Sequence, residues 1–145
     1  MSRPLFSFED TIRSSAHALV IGVGGGGDVV GALATARFLE FCGVRFTLGG
    51  LSWERYVYDP KPGPRALREI ENVRGLHPRI GLANASTQTD YGVTFAESRM
   101  AEVLGRDVLL VDINGGPDEV AEGLQAAARA LGADMFVGVD VGGDS

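Results

Sequence analysis

At 145 residues with 45% hydrophobic composition, the chain is long enough to form one globular domain with a sizeable core. Its net charge of −6 argues against a nucleic-acid groove and against binding to an anionic membrane surface. The sequence has neither an apolar run of about 18 residues nor a basic segment followed by an apolar one. These absences exclude a spanning helix and a signal peptide, and they predict a cytoplasmic protein.

Helices and strands alternate along the chain. Ser7 with Asp10, and Thr94 with Glu97, have the spacing of capping boxes at helix starts. In chain order, the expected elements are a helix over 8–16, a strand over 17–23, a helix over 28–42, a strand over 44–48, a short helix over 65–72, a weak strand over 79–83, a polar loop over 84–92, a helix ending near 104, a strand over 107–113, a helix from 117 to 132 and a strand over 134–140. This alternation predicts an α/β fold with a parallel sheet of about five strands.

The glycine-rich turn after the first predicted strand is the strongest signal. Gly22, Gly24 and Gly27 have the G-x-G-x-x-G spacing of a nucleotide-binding strand–turn–helix unit. Glycine lets the backbone come close to a ligand, and the next helix presents free N–H groups and a partial positive charge. The predicted ligand-binding residues here are Gly24, Gly25, Gly26, Gly27 and Asp28.

The expected ligand is a phosphate, a nucleotide or a metal–phosphate, ranked above NAD or FAD. The dinucleotide fingerprint has an acid at the end of the next strand, whereas this chain continues there as Gly49-Gly50-Leu51. Asp28 would also repel a pyrophosphate unless a cation lay between them. Two interpretations of Asp28 stay open, an N-cap of the helix or a ligand-facing group. No lysine follows the glycines, which excludes a P-loop.

Residues 49–65, called the arm below, are too long for a passive connection in a compact domain. The arm contains the only Trp of the chain, and its prolines stiffen it. One interpretation is a loop clamped onto the body by its aromatic side chains. The other is a lid or recognition arm in which Trp53, Glu54 and Arg55 contact the ligand.

Glycine turns follow three of the predicted strands. They are Gly26-Gly27-Asp28, Gly115-Gly116-Pro117-Asp118 and Gly142-Gly143-Asp144. The carboxyl ends of parallel strands lie along one edge of a sheet, where α/β proteins bind ligands. Asn114, Gly115 and Gly116 are therefore further candidate ligand-binding residues.

Carboxylates also lie close to the ends of these strands. A buried carboxylate is costly without a partner, and Asp112 and Asp140 therefore each need one. Arginine side chains, backbone N–H groups, a ligand hydroxyl or Mg²⁺ would serve. The candidate metal ligands are Asp28, Asp112 and Asp140, with Mg²⁺ as the candidate cofactor.

Four motifs in order carry a family resemblance. They are Gly24-Gly25-Gly26-Gly27-Asp28 after a strand, Trp53-Glu54-Arg55, Asp59-Pro60-Lys61-Pro62-Gly63-Pro64-Arg65, and Gly138-Val139-Asp140-Val141-Gly142-Gly143-Asp144. Together they resemble a largely prokaryotic family, prominent in archaea, called Domain of Unknown Function 1152. The resemblance implies a cytoplasmic setting and a Rossmann-like three-layer sandwich with a mostly parallel sheet, and it carries no activity. Because no helix follows the last predicted strand, residues 1–145 are expected to be one domain at the N-terminal end of a longer chain.

Three functional hypotheses stay open. The first is an enzyme acting on a nucleotide or phosphorylated small molecule, with aspartates holding Mg²⁺ or serving as acid–base groups. The second is a non-catalytic nucleotide or metabolite sensor on the same scaffold. The third is a structural protein whose glycines serve packing and which assembles with copies of itself.

Overall fold

A computed structural model describes residues 7–24, 27–54, 58–61 and 63–140 of the chain. The α-helices are α1 (Phe8–Ser14), α2 (Asp28–Phe41), α3 (Ala96–Leu104) and α4 (Pro117–Leu131), and a 3₁₀ helix spans Leu67–Glu69. The strands are β1 (His17–Gly22), β2 (Arg45–Leu51), β3 (Ile70–His77), β4 (Ile80–Thr89), β5 (Val108–Val111) and β6 (Met135–Val139). The described helices include none that is long and apolar enough to cross a membrane.

The strands form one six-stranded sheet in the order β3-β4-β5-β2-β1-β6. β5, β2, β1 and β6 are parallel, whereas β4 is antiparallel to both of its neighbours. The fold is therefore α/β, as predicted, but the expectation of a mostly parallel sheet of about five strands is wrong. The sheet is mixed, and the likeness to a Rossmann fold is limited to its parallel part.

The error lies in the segment that forms β3 and β4. Residues 65–72 were expected to be helical and residues 84–92 to be a polar loop, but 70–77 and 80–89 pair as an antiparallel hairpin. Antiparallel strands at a sheet edge tolerate polar residues on a solvated face. Thr87 and Thr89 are fully buried in β4, and β-branched threonine suits a strand. Thr87 Oγ1 bonds to backbone groups at Asn72 and Asn84, so it helps to hold the hairpin together.

Helices cover both faces of the parallel strands. On one face, Val29, Ala36 and Leu39 of α2 and Met100 of α3 pack on alternate residues of β1 and β2. On the other face, α4 packs on the remaining residues through Ala127 and Ala128. This arrangement leads the chain from β1 to one face of the sheet and from β5 to the other.

Candidate functional site

The carboxyl ends of β5, β2, β1 and β6 form one edge of the sheet, called the carboxyl edge below. β1 continues into α2 on one face and β5 into α4 on the opposite face, and the end of β2 lies between them. α/β sheets bind ligands in the crevice that such diverging connections leave open. The glycine turns after β1 and β5 both border this crevice.

Gly22 lets α2 approach the end of β1 closely. A Cβ at Gly22 would lie 2.6 Å from the Asp28 carbonyl carbon and 2.8 Å from the Val29 nitrogen. The first turn of α2 therefore rests directly on the strand backbone. This contact fixes the direction in which the helix N-terminus faces the crevice.

We expect Gly22→Ala to destabilise the fold by about 1–3 kcal/mol, since backbone atoms must move to admit the methyl group. Urea unfolding would measure the loss. Gly138→Ala in β6 is the control, because its Cβ would meet only Val23 Cγ1 at an ordinary 3.6 Å. Equal stability of the two variants would contradict this close approach.

Asp28 is the first residue of α2 and does not cap it. The N-cap is Gly27, and no side-chain hydrogen bond caps this helix among the described residues. The Asp28 side chain is only 8% exposed, and its Oδ2 has no hydrogen-bond partner in the described part of the chain. A Cβ at Gly24 would overlap this carboxylate, which therefore lies over the turn. Of the two open interpretations, the N-cap is therefore wrong, and the ligand-facing role stays a prediction.

Of the other predicted turn residues, Gly25 and Gly26 lie outside the described residues. Gly24 is described beneath the Asp28 carboxylate, and nothing lies within 4 Å of a Cβ built at Gly27. Gly27 thus has open space beside it, at a helix start that no described side chain caps.

Glu97 is a buried carboxylate beside the candidate site, and the sequence analysis did not identify it as such. Its spacing from Thr94 predicted a capping box, but the N-cap of α3 is Phe95, without a side-chain cap among the described residues. Glu97 is 1% exposed, and its Oε1 has no hydrogen-bond partner in the parts described. A Cβ at Gly50 would overlap this carboxylate. The glycine in β2 was the available signal, because a strand glycine often marks a close approach by another group.

The two buried carboxylates lie over neighbouring strands. Gly22 pairs with Gly50 in the register of β1 and β2, and Asp28 covers the turn after Gly22 while Glu97 covers Gly50. Burial raises the pKa of Glu97 well above the usual carboxyl range, its own backbone N–H offsets part of the rise, and the Glu54 carboxylate adds to it. Two buried carboxyl groups thus lie over the ends of neighbouring strands at one side of the crevice.

Glu54 points into the protein rather than toward a ligand. Its Oε1 accepts a hydrogen bond from the Ala96 N–H at 2.5 Å, at the start of α3. Trp53 beside it is 41% exposed, so its ring is available at the surface. Arg55, the third predicted contact of the arm, lies outside the described residues.

Polar contacts close the base of the arm in the part of the chain that the structure describes. Ser52 and Arg65 exchange two hydrogen bonds. The Arg65 N–H donates to the Ser52 carbonyl oxygen at 2.7 Å, and the Ser52 hydroxyl donates to the Arg65 carbonyl oxygen at 2.6 Å. The fully buried Arg65 side chain donates two hydrogen bonds to Asp59, at 2.7 and 2.5 Å. These bonds hold the pKa of Asp59 below its usual range.

The turn after β5 is held by a hydrogen-bond network centred on Asp112, which is 1% exposed. Its Oδ1 accepts from the Asn114 N–H and Nδ2, and its Oδ2 accepts from the Leu67 N–H and Arg79 Nη1. Burial would raise the pKa of Asp112, but these hydrogen bonds hold it below its usual range. The network ties the turn to β4 and to the end of the arm.

The neighbours of Asp112 in this turn have structural partners too. Asn114 also donates to the Pro64 carbonyl oxygen at 3.2 Å. A Cβ at Gly115 would overlap the Glu119 side chain, and Gly116 has a positive φ of 88° before Pro117. Close side-chain contact therefore accounts for Gly115, and backbone conformation accounts for Gly116.

The three predicted metal ligands do not come together as one group in the described part of the chain. Asp28 follows β1, Asp140 is exposed after the adjacent β6, and Asp112 follows β5, two strands from β1. At about 4.8 Å per strand, the start of the Asp28 turn and that of the Asp112 turn are separated by roughly 10 Å. No group of three His, Cys, Asp or Glu residues in the described ranges could hold a metal ion. The Asp28 carboxylate lies over Gly24 in the turn after β1, and its Oδ2 has no hydrogen-bond partner among the described residues.

Comparison with known proteins shows that the family model described as "Protein of unknown function (DUF1152)" matches residues 19–145. No curated protein and no solved structure matches the chain.

Proposed function

Because the chain belongs to this family of proteins of unknown function, we propose a function from its own residues: it binds a nucleotide or another phosphorylated small molecule at the turn between β1 and α2, together with Mg²⁺. The observation that carries this proposal is the buried Asp28 carboxylate, whose Oδ2 has no partner among the described residues and which lies over Gly24.

The start of α2 supports phosphate binding. Its N-cap is Gly27, and no side chain caps the helix in the described structure. The first N–H groups of α2 and its partial positive charge therefore face the turn. Phosphate groups bind such helix starts through these N–H groups. The space at Gly27 would admit a phosphate close to the backbone.

The negative charge of Asp28 supports a metal ion at the same site. An aspartate beside a phosphate is unfavourable unless a cation neutralises both. Mg²⁺ is commonly bound by one or two carboxylates together with the phosphates of the ligand. Asp28 would therefore hold the ion against the phosphate, and when bound the ion would supply charge neutralisation there.

Thermal unfolding of the full chain with ADP, NAD and glucose 6-phosphate, each with and without Mg²⁺, tests the proposal. A ligand at a hundred times its dissociation constant stabilises by about 2.7 kcal/mol, which raises the melting temperature by roughly 5–10 °C. We expect a rise that requires Mg²⁺ for at least one of the phosphorylated ligands.

Asp28→Asn should remove most of the Mg²⁺-dependent rise, because it removes the charge and keeps the shape of the side chain. Asp118→Asn is the matched control, since Asp118 is an exposed aspartate in the first turn of α4. No rise with any ligand, or a Mg²⁺-dependent rise that Asp28→Asn leaves intact, would contradict the proposal.

A further inference from the structure

A second cavity lies at the opposite edge of the sheet, where β1 and β2 begin. Its volume is about 460 Å³, and it is called the arginine cavity below. It is lined by His17 and by three arginines, Arg45, Arg74 and Arg106. Glu40 and Asp107 also line it, so the basic side chains outnumber the acidic ones. This concentration of positive charge is local, because the chain as a whole carries −6.

Two of the three arginines have no counter-ion among the residues that the structure describes. Within the described ranges, neither Arg45 nor Arg74 makes an ion pair or a hydrogen bond through its side chain. Arg106 stacks on the Phe46 ring, with its guanidinium carbon 4.2 Å from the ring centre, and approaches Glu40 only to 3.8 Å. Most of the hydrogen-bond donors of the Arg106 guanidinium are therefore available to a bound group.

The pKa of His17 reflects the positive charge around this cavity. Burial lowers its pKa, and the neighbouring Arg45 and Arg106 lower it further. The Leu131 carbonyl and Asp134 raise it, and these offset only part of the lowering. The ring is held by a 2.7 Å hydrogen bond between Nε2 and Thr47 Oγ1. The uncharged His17 therefore stands in a field that disfavours a further positive charge.

We infer that the arginine cavity binds a small organic anion through a phosphate or carboxylate group. Arginine forks bind both groups bidentately. Leu82 and Leu131 form an apolar wall of the cavity for the body of the ligand. This site is separate from the one proposed above, since His17 and Gly22 stand at opposite ends of β1, about 17 Å apart at ~3.3 Å per residue.

NMR titration of the histidine rings tests this inference directly. The full chain has two histidines, and His77 does not line the cavity, so it serves as an internal control. Inorganic phosphate or malonate should raise the pKa of His17, because a bound anion offsets the arginine charges, and should leave His77 unchanged. The two anions distinguish a phosphate site from a carboxylate site.

Variants establish which residues hold the anion. Arg45→Ala and Arg74→Ala should each weaken the affinity about tenfold, as expected for a lost hydrogen bond to a charged group. Arg99→Ala is the matched control, an exposed arginine on α3 outside the cavity. Asp28→Asn should leave anion binding at His17 unchanged, so failure of this inference can be distinguished from failure of the proposed function.

Two results would overturn the inference. The first is a His17 pKa that neither phosphate nor malonate moves. The second is a rise that sodium chloride reproduces at the same ionic strength, because screening alone would then explain it.

Discussion

Replacing Arg65 with alanine is expected to destabilise the protein by about 3–5 kcal/mol, because it leaves a buried carboxylate without its partner. Arg65 and Asp59 each have a side chain only 1% exposed and form a two-pronged ion pair. Arg65 also lies 3.3 Å from Asp90 and stacks 5.0 Å from the centre of the Tyr91 ring. One side chain thus joins the arm to the end of β4.

Urea unfolding of the variant and of Arg68→Ala would measure the effect. Arg68 is an exposed arginine three residues away, and its loss should change stability by less than about 0.5 kcal/mol. Arg65→Lys should fall between the two, since a lysine keeps the charge and loses the two-pronged geometry. Equal stability of Arg65→Ala and Arg68→Ala would show that the ion pair does not hold the arm.

Glu97→Gln is expected to stabilise the protein at neutral pH and to remove part of the pH dependence of its stability. Burial raises the pKa of Glu97 in the folded protein, and the Glu54 carboxylate adds to the rise. The folded state therefore retains a proton that the unfolded state releases. Stability from this group is complete below the ordinary carboxyl pKa and is lost as pH rises toward the raised one. Glutamine has the shape of the protonated acid and no proton to lose.

Melting temperatures between pH 4 and pH 9 would measure this difference. We expect the melting temperature of the variant to rise relative to that of the parent chain as pH rises. Each kcal/mol of difference in the free energy of unfolding corresponds to about 2–4 °C. Glu102→Gln is the control, because Glu102 is exposed on the same helix. If the melting temperatures of the variant and the parent chain differ by the same amount at every pH, Glu97 is ionised in the folded protein as it is in the unfolded one.

The parallel half of the fold could be predicted from the sequence because each element carries a local signal. β1 and β5 are apolar runs, Gly105 and Gly132 end α3 and α4 in the left-handed conformation, and Pro117 starts α4. The hairpin of β3 and β4 could not be predicted, because buried positions in the second half of β4 are the polar residues Thr87 and Thr89, so no apolar alternation marks that part of the strand.

The site was accessible to sequence analysis only where the backbone itself is special. The glycines predicted the turn, and Asp28 was identified within it. Glu97 was missed because its partner in space, Gly50, is distant in sequence, so no spacing rule joins them. Asp112 was predicted to be a carboxylate that needs partners, with Mg²⁺ among the candidates, and its partners in the structure are Arg79, Asn114 and the Leu67 N–H.

The most direct measurement is amide chemical-shift mapping of the ¹⁵N-labelled full chain during titration with ADP, at fixed Mg²⁺ concentration. The proposed function predicts that the largest changes occur at the turn between β1 and α2, at Gly24, Gly27 and Val29, and that they require Mg²⁺. Changes confined to the arginine cavity, or no changes at saturating ADP and glucose 6-phosphate, would contradict phosphate binding at this turn.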